Sequence, residues 1–171
     1  MNIVFTGMRG TGKTTLGKKI AKLIQWDFVD IDKEIEKKVN KKIDQYVDEF
    51  GWEAFRKEET LVAKKCAQLE KTVISTGGGT MMNPENAAAL KGNGHVVLLV
   101  CKMERLKIYL SKSYQRPSLG GEKSAIEEMH EVWAKRKDQY YEVADTIHDT
   151  SRWPSHKKLL KTLQSVESLN L

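Results

Sequence analysis

With 171 residues, 40% hydrophobic and 30% charged, the chain has the balance of a soluble globular protein large enough to bury a core as one domain. No uninterrupted apolar run approaches membrane-spanning length, so no membrane partner is expected. The net charge of +6 raises the question of nucleic acid, but the lysines are spread over outer helix faces (Lys18, Lys19, Lys37, Lys38, Lys64, Lys65, Lys157, Lys158) and form no arginine-rich tract. That pattern reads as a basic surface attracting small anions, with no nucleic-acid partner.

The first element is an apolar strand, Ile3-Val4-Phe5, running into Gly7-Met8-Arg9-Gly10-Thr11-Gly12-Lys13-Thr14. The octet fits G-x-x-x-x-G-K-[ST] with an additional glycine at Gly10, and residues 15–24 have helical apolar spacing. Strand, glycine loop and helix in that order make a phosphate cradle. Glycines let backbone N–H groups converge on phosphate oxygens, and the helix N-terminus adds partial positive charge. Lys13 would reach the β- and γ-phosphates and the Thr14 hydroxyl would ligate Mg²⁺, so the chain is expected to bind a nucleoside triphosphate.

Residues 26–32 read as a second strand whose period of two puts Phe28, Asp30 and Asp32 on one side. Two carboxylates pointing the same way repel, and a Mg²⁺ or an acceptor hydroxyl would offset the cost; the bland alternative is that Asp32 caps the next helix. A basic helix over 33–39 follows, then a short helix over 44–50 ended by Gly51, and a long one over 52–69. On that long helix Arg56 and Glu59 share a stripe with Trp52, Phe55, Val62, Ala63 and Cys66. An inward-facing arginine needs an anionic partner, and Glu59 and a substrate carboxylate could share its fork. Spacing alone slightly favours an ordinary surface i,i+3 pair.

A strand over 72–76 stops at Gly77-Gly78-Gly79, which either offers backbone N–H groups to a ligand or is only a turn. Pro84 opens a helix, residues 92–94 turn, 95–100 form a buried strand, and 103–112 are helical. The polar segment 113–123, with Arg116-Pro117, reads as a lid carrying a cation over the equatorial oxygens of a transferring phosphate, or as a loop with an exposed arginine. On the helix over 124–143 the apolar stripe is Ile126, Met129, Trp133 and Tyr140, with Arg136 between the last two. Two stripe-facing arginines on separate helices suggest one anion between them; an Arg136 snorkelling outward stays open. A last strand over 144–148 and a helix after Pro154, with Leu159, Leu160, Leu163 and Val166 on one side, close the chain.

Strands alternating with helices imply a parallel sheet with helices on both faces, binding ligands at the carboxyl ends of its strands. The cradle, Asp30, Asp32 and the triple glycine all fall there. Cys66 and Cys101 lack metal-ligand spacing and read as buried reduced thiols of a cytoplasmic protein, and Met1-Asn2 leads into the first strand without a signal peptide.

As an ordered set these residues resemble the shikimate kinase family, and the likeness runs over nearly the whole chain. It rests on the glycine octet, Phe28-Val29-Asp30-Ile31-Asp32, Gly51-Trp52-Glu53-Ala54-Phe55-Arg56 with Glu59, Val73-Ile74-Ser75-Thr76-Gly77-Gly78-Gly79, Arg116-Pro117, and Arg136 four before Tyr140, followed by Glu142-Val143-Ala144-Asp145. The resemblance implies a three-layer α/β/α P-loop fold like that of nucleoside monophosphate kinases, with a five-stranded parallel sheet in order 2-3-1-4-5. It implies one kinase domain over 1–171, with acceptor binding in 33–60 and a lid at 113–123, acting as a monomer. The implied reaction moves the γ-phosphoryl group of ATP, with Mg²⁺, to the 3-hydroxyl of shikimate in the chorismate branch leading to aromatic amino acids.

By the same resemblance, Asp32 is base or orienter of the reacting hydroxyl, with Lys13 and Arg116 as the other catalytic groups. Gly10, Thr11, Gly12, Lys13, Thr14, Thr15, Arg116 and Arg152 hold the nucleotide, Arg152 on its adenine side. Asp32, Arg56, Gly77, Gly78, Gly79 and Arg136 hold shikimate, with Arg56 and Arg136 on its carboxylate and Glu59 orienting Arg56. Thr14 and Asp30 serve the metal. The chain departs from the family pattern at Trp52, usually Glu, at Ser118, usually Leu, and at Asp138-Gln139, usually Pro-Leu. The rival readings are a related small-molecule kinase acting on gluconate and a silent nucleotide-binding regulatory relative.

Overall fold

Two sets of apolar side chains alternate along the strands, and each set carries its own layer of helices. The computed structural model describes residues 1–106, 125–152 and 155–171. Its strands are β1 (Asn2–Thr6), β2 (Asp27–Asp30), β3 (Thr72–Ser75), β4 (Gly94–Val100) and β5 (Thr146–Asp149). Every pairing is parallel and the order is β2-β3-β1-β4-β5, as expected. Ile3 and Phe5 of β1 and Val97 and Leu99 of β4 face helix α1 (Lys13–Ile24) and the last helix, where Leu16, Ile20, Leu159 and Leu163 meet them. Val4 and Val96 point the other way, onto α2 (Ile31–Val39), α3 (Ile43–Ala67) and α4 (Pro84–Gly92), through Ile35, Phe55, Ala63 and Leu90. Helix α5 (Ala125–Val143) packs Met129 and Tyr140 against Met8, Leu98 and Leu106, and α6 (His156–Gln164) closes the α1 face. Burial on both faces is what a parallel sheet demands of its strands.

Several boundaries differ from expectation for local reasons. β2 stops at Asp30 instead of running to Asp32, because the Asp30 carboxylate accepts the Lys33 N–H and starts α2 at Ile31. Asp30 and Asp32 are therefore not two residues on one strand face; Asp30 is the N-cap and Asp32 lies in the first helical turn. The two helices expected on either side of Gly51 are continuous apart from Gly51 itself, whose φ of 81° lies in the left-handed region. Pro84 occupies the first turn of α4, with Asn83 as its cap. Residues 103–106 are helical, whereas 107–112 and the segment 113–123 lie outside the described residues. Among the described residues no helix is long and apolar enough to cross a membrane.

Candidate active site

The glycine octet departs from β1 at the carboxyl edge of the sheet and turns into α1. Gly7, Gly10 and Gly12 all take positive φ, at 130°, 81° and 92°. At Gly7 space matters as well, since a Cβ there would stand 2.4 Å from the Leu99 carbonyl oxygen. Gly12 sits at the N-cap of α1 and has no side chain with which to cap it, so the first-turn amides are left to a ligand. The loop is laced to its surroundings. Thr11 Oγ1 donates to the Met8 carbonyl at 2.8 Å, and Thr150 Oγ1, from the segment after β5, donates to the Thr11 carbonyl at 3.0 Å. The Lys13 ammonium donates to the Gly7 and Met8 carbonyls at 2.8 and 2.9 Å, which holds the charge over the loop. Thr15 is exposed on the first turn of α1, and Arg152 is exposed two residues beyond Thr150.

Thr14 Oγ1 donates to Asp30 Oδ2 at 2.7 Å and lies 3.4 Å from Ser75 Oγ. Ser75 reaches this point because β2 and β3 pair Asp30 with Ser75. Two hydroxyls and one carboxylate are a hard-oxygen set suited to Mg²⁺, which keeps waters and takes phosphate oxygens. Among the described residues no group of three His, Cys, Asp or Glu could hold a metal, so an ion here would depend on phosphate for much of its coordination.

The triple glycine is where the sequence-predicted residues converge, and space is short at Gly77 and Gly79. None of the three takes positive φ. A Cβ at 77 would stand 2.6 Å from Asp32 Oδ1, and one at 79 would stand 2.9 Å from Arg56 Nη2. At 78 it would face the Arg9 amide nitrogen at 3.6 Å and the Gly7 carbonyl oxygen at 3.8 Å, which sets this turn directly against the phosphate loop. From the other side Arg136 Nη1 donates to the Gly78 carbonyl at 3.0 Å, and the Tyr140 hydroxyl donates to the same oxygen. Burial pushes the Tyr140 phenol above its ordinary range, so it stays a neutral donor. Asp32, Arg56 and Arg136 thus border one short turn beside the nucleotide loop.

Arg56 is held from behind. Its Nη1 donates to Glu59 Oε2 at 2.5 Å, Glu59 is 1% exposed, and Thr80 Oγ1 donates to the other carboxylate oxygen at 2.8 Å. The guanidinium lies 5.5 Å from the Trp52 ring and 5.2 Å from the Phe55 ring. Trp52 itself is 45% exposed, so it does not belong to the inward stripe on which it was placed, while Phe55, Val62, Ala63 and Cys66 do. Both cysteines are free, with Cys66 buried and Cys101 only half-buried. Arg116 lies outside the described residues.

A family model described as shikimate kinase matches residues 9–167. The chain belongs to the shikimate kinase family. It is 38% identical over 152 residues to the shikimate kinase of Caldanaerobacter subterraneus subsp. tengcongensis, covering 88% of this chain and 86% of that one. It is 39% identical over 148 residues to shikimate kinase 2 of Photorhabdus laumondii subsp. laumondii, covering 85% and 84%. Among solved structures, shikimate kinase from Acinetobacter baumannii in complex with shikimate superposes with a TM-score of 0.90 at 31% identity, over 99% of this chain and 94% of that one. The enzyme from Bacteroides thetaiotaomicron gives 0.86 at 31% identity, over 100% and 99%.

Two departures from the shikimate kinase pattern have a place in this structure. Trp52 stands beside the Arg56 guanidinium, and Gln139 donates to the Met81 and Met82 carbonyls, both at 3.0 Å. Sequence reasoning missed Ser75, Thr80 and Tyr140. Tyr140 carried a signal, because a fully buried tyrosine must find a partner for its hydroxyl. Ser75 and Thr80 carried none, since their roles depend on which strand and which helix lie alongside.

Proposed function

We propose that the chain transfers the γ-phosphoryl group of ATP to the 3-hydroxyl of shikimate, releasing ADP and shikimate 3-phosphate in the chorismate branch of aromatic amino acid biosynthesis. The observation that carries this reading is the meeting of Arg56, Asp32 and Arg136 around Gly77-Gly78-Gly79, with Gly78 against the phosphate loop. Two guanidinium groups can grip one carboxylate, and the Asp32 carboxylate beside Gly77 borders the same turn, which supports its meeting a hydroxyl of the same molecule.

In this reading Asp32 orients the acceptor hydroxyl and takes its proton as the new O–P bond forms and the bond from Pγ to the β-phosphate oxygen breaks. Gly10, Thr11, Gly12, Lys13, Thr14 and Thr15 bind the phosphates, and Lys13 stabilises charge on the transferring group. Arg116, in the lid assigned to 113–123, adds a second cation there, and Arg152 flanks the adenine. Gly77, Gly78 and Gly79 give the acceptor ring a surface without side chains, in the region completed by 33–60. Thr14 and Asp30 serve Mg²⁺, which when bound neutralises phosphate charge. The working unit proposed is a monomer, and two free cysteines suit the reducing cytoplasm.

A coupled assay for ADP release over a panel of small hydroxy acids, shikimate and gluconate included, tests the reading. Turnover confined to shikimate is expected. Turnover of gluconate in its place, or ATP binding without turnover of any acceptor, would sink it.

A further inference from the structure

Helix α5 presents three donors to the acceptor-site turn from one face. Arg136, Gln139 and Tyr140 follow i, i+3, i+4 spacing, which brings them side by side. Arg136 and Tyr140 share the Gly78 carbonyl, while Gln139 Nε2 donates to both the Met81 and Met82 carbonyls. Those two carbonyls end the short 3₁₀ turn Thr80–Met82 that follows the glycines. Helix-end carbonyls have no partner within their own turn. Nearby amides are committed elsewhere: Pro84 has no N–H, the Asn83 N–H goes to the Thr80 carbonyl, and the Glu85 N–H goes to the Asn83 side chain. Only the nitrogen end of a carboxamide can serve two carbonyls at once, so the orientation of Gln139 is fixed by its partners.

The arrangement matters because of what Arg136 must do. A guanidinium that grips a substrate carboxylate cannot also be the anchor of its own helix. With each of its two N–H bonds on a different carbonyl, Gln139 fixes both the rotation and the axial position of α5 against the turn. It does so one turn from Arg136 and without touching the acceptor position. The family pattern has an apolar residue here, which could press on the turn but could not index it.

We infer that Gln139 is a positioning residue for the acceptor carboxylate, acting through Arg136 by fastening α5 to the Thr80–Met82 turn. The inference rests on the reading of Arg136 as a carboxylate ligand. The test is a double-mutant cycle on the purified full chain with shikimate and ATP as the varied substrates. Gln139→Leu raises the KM for shikimate about ten-fold, the worth of roughly two ordinary hydrogen bonds, while the KM for ATP moves less than about two-fold. In the Arg136→Ala background the same change adds almost nothing, because the group it positions is gone. Gln139→Glu keeps the shape but loses the donors, and its shikimate KM falls back toward wild type as pH drops and the carboxyl gains a proton to donate. Multiplicative effects of Gln139→Leu and Arg136→Ala, or equal rises in both KM values, overturn the inference. An Arg136→Ala variant with unchanged shikimate KM defeats the parent reading instead, so the two failures are distinguishable.

Discussion

Arg56 and Arg136 approach the same Gly78–Gly79 pair from different helices, Arg56 within 2.9 Å of where a Gly79 Cβ would be and Arg136 on the Gly78 carbonyl. Neither helix could place a guanidinium there by itself. Arg56 depends on the buried Glu59–Thr80 pair behind it, and Arg136 on the contacts of α5 with the turn. The proposed acceptor site is therefore built around a turn whose surroundings fix two cations, an arrangement suited to charge-assisted bonds to one anion.

Removing either cation should weaken acceptor binding selectively. A hydrogen bond to a charged group is worth about 1.5–3 kcal/mol, so Arg136→Ala should raise the shikimate KM roughly ten- to hundred-fold with the ATP KM nearly unchanged. Steady-state kinetics with each substrate varied in turn checks this. A defect confined to ATP would contradict the clamp.

The glycines supply a second prediction. Gly79 has φ of −112°, a conformation open to any residue, so Gly79→Ala meets no backbone strain. It does push a methyl group into Arg56 Nη2. The fold should persist, with a melting temperature close to wild type, while the shikimate KM rises about ten-fold or more as Arg56 is displaced. A variant that melts much earlier yet binds shikimate normally would show that the glycine serves the fold.

How far the sequence could carry the reader depends on the residue. The octet was legible from its spacing, the partnership of Arg56 and Arg136 from two stripe-facing arginines on separate helices, and the strand order and the place of Asp32 beside them from the resemblance of the ordered motifs. Asp30 and Asp32 were misjudged as a pair on one strand face. An aspartate that caps a helix and one that ends a strand look identical until the Lys33 amide is seen to bond to Asp30. Trp52 fits the inward stripe by periodicity, but as the first residue after Gly51 it lies at the stripe's open end, half-exposed beside the Arg56 guanidinium. Gln139 was visible only as a mismatch with the family, since its two acceptors lie on a turn far away in sequence.

Asp32 separates chemistry from binding. Asp32→Asn keeps the shape beside Gly77 but removes the base, so kcat should fall about 10²- to 10⁴-fold while nucleotide binding, followed by titration calorimetry, stays within about two-fold of wild type. An Asp32→Asn enzyme turning over at the wild-type rate would take this residue out of the reaction.

The remaining prediction concerns stability and acid. His148, 4% exposed on β5, has its imidazole pushed below the ordinary 6.5, first by burial and then by the positive charge of Lys158, with Asp149 and a backbone contact to Ser155 opposing. His95 shifts the same way through burial, against the pull of Asp145. In the unfolded chain both titrate near their ordinary value, so between that value and the lowered one the unfolded state binds more protons than the folded state. Stability then rises with pH through this window: it is complete above about pH 6.5 and is lost as the pH falls through the lowered values. Carboxylates held low, such as Asp149 with its bonds from Ser151, give up their contribution only in stronger acid, so they do not blur this limb. Melting temperatures should therefore decline between pH 7.5 and 5.5, and His148→Gln, which cannot titrate, should show a shallower decline. A variant that keeps the full wild-type slope would move the acid sensitivity to His95 or elsewhere and remove His148 from the account.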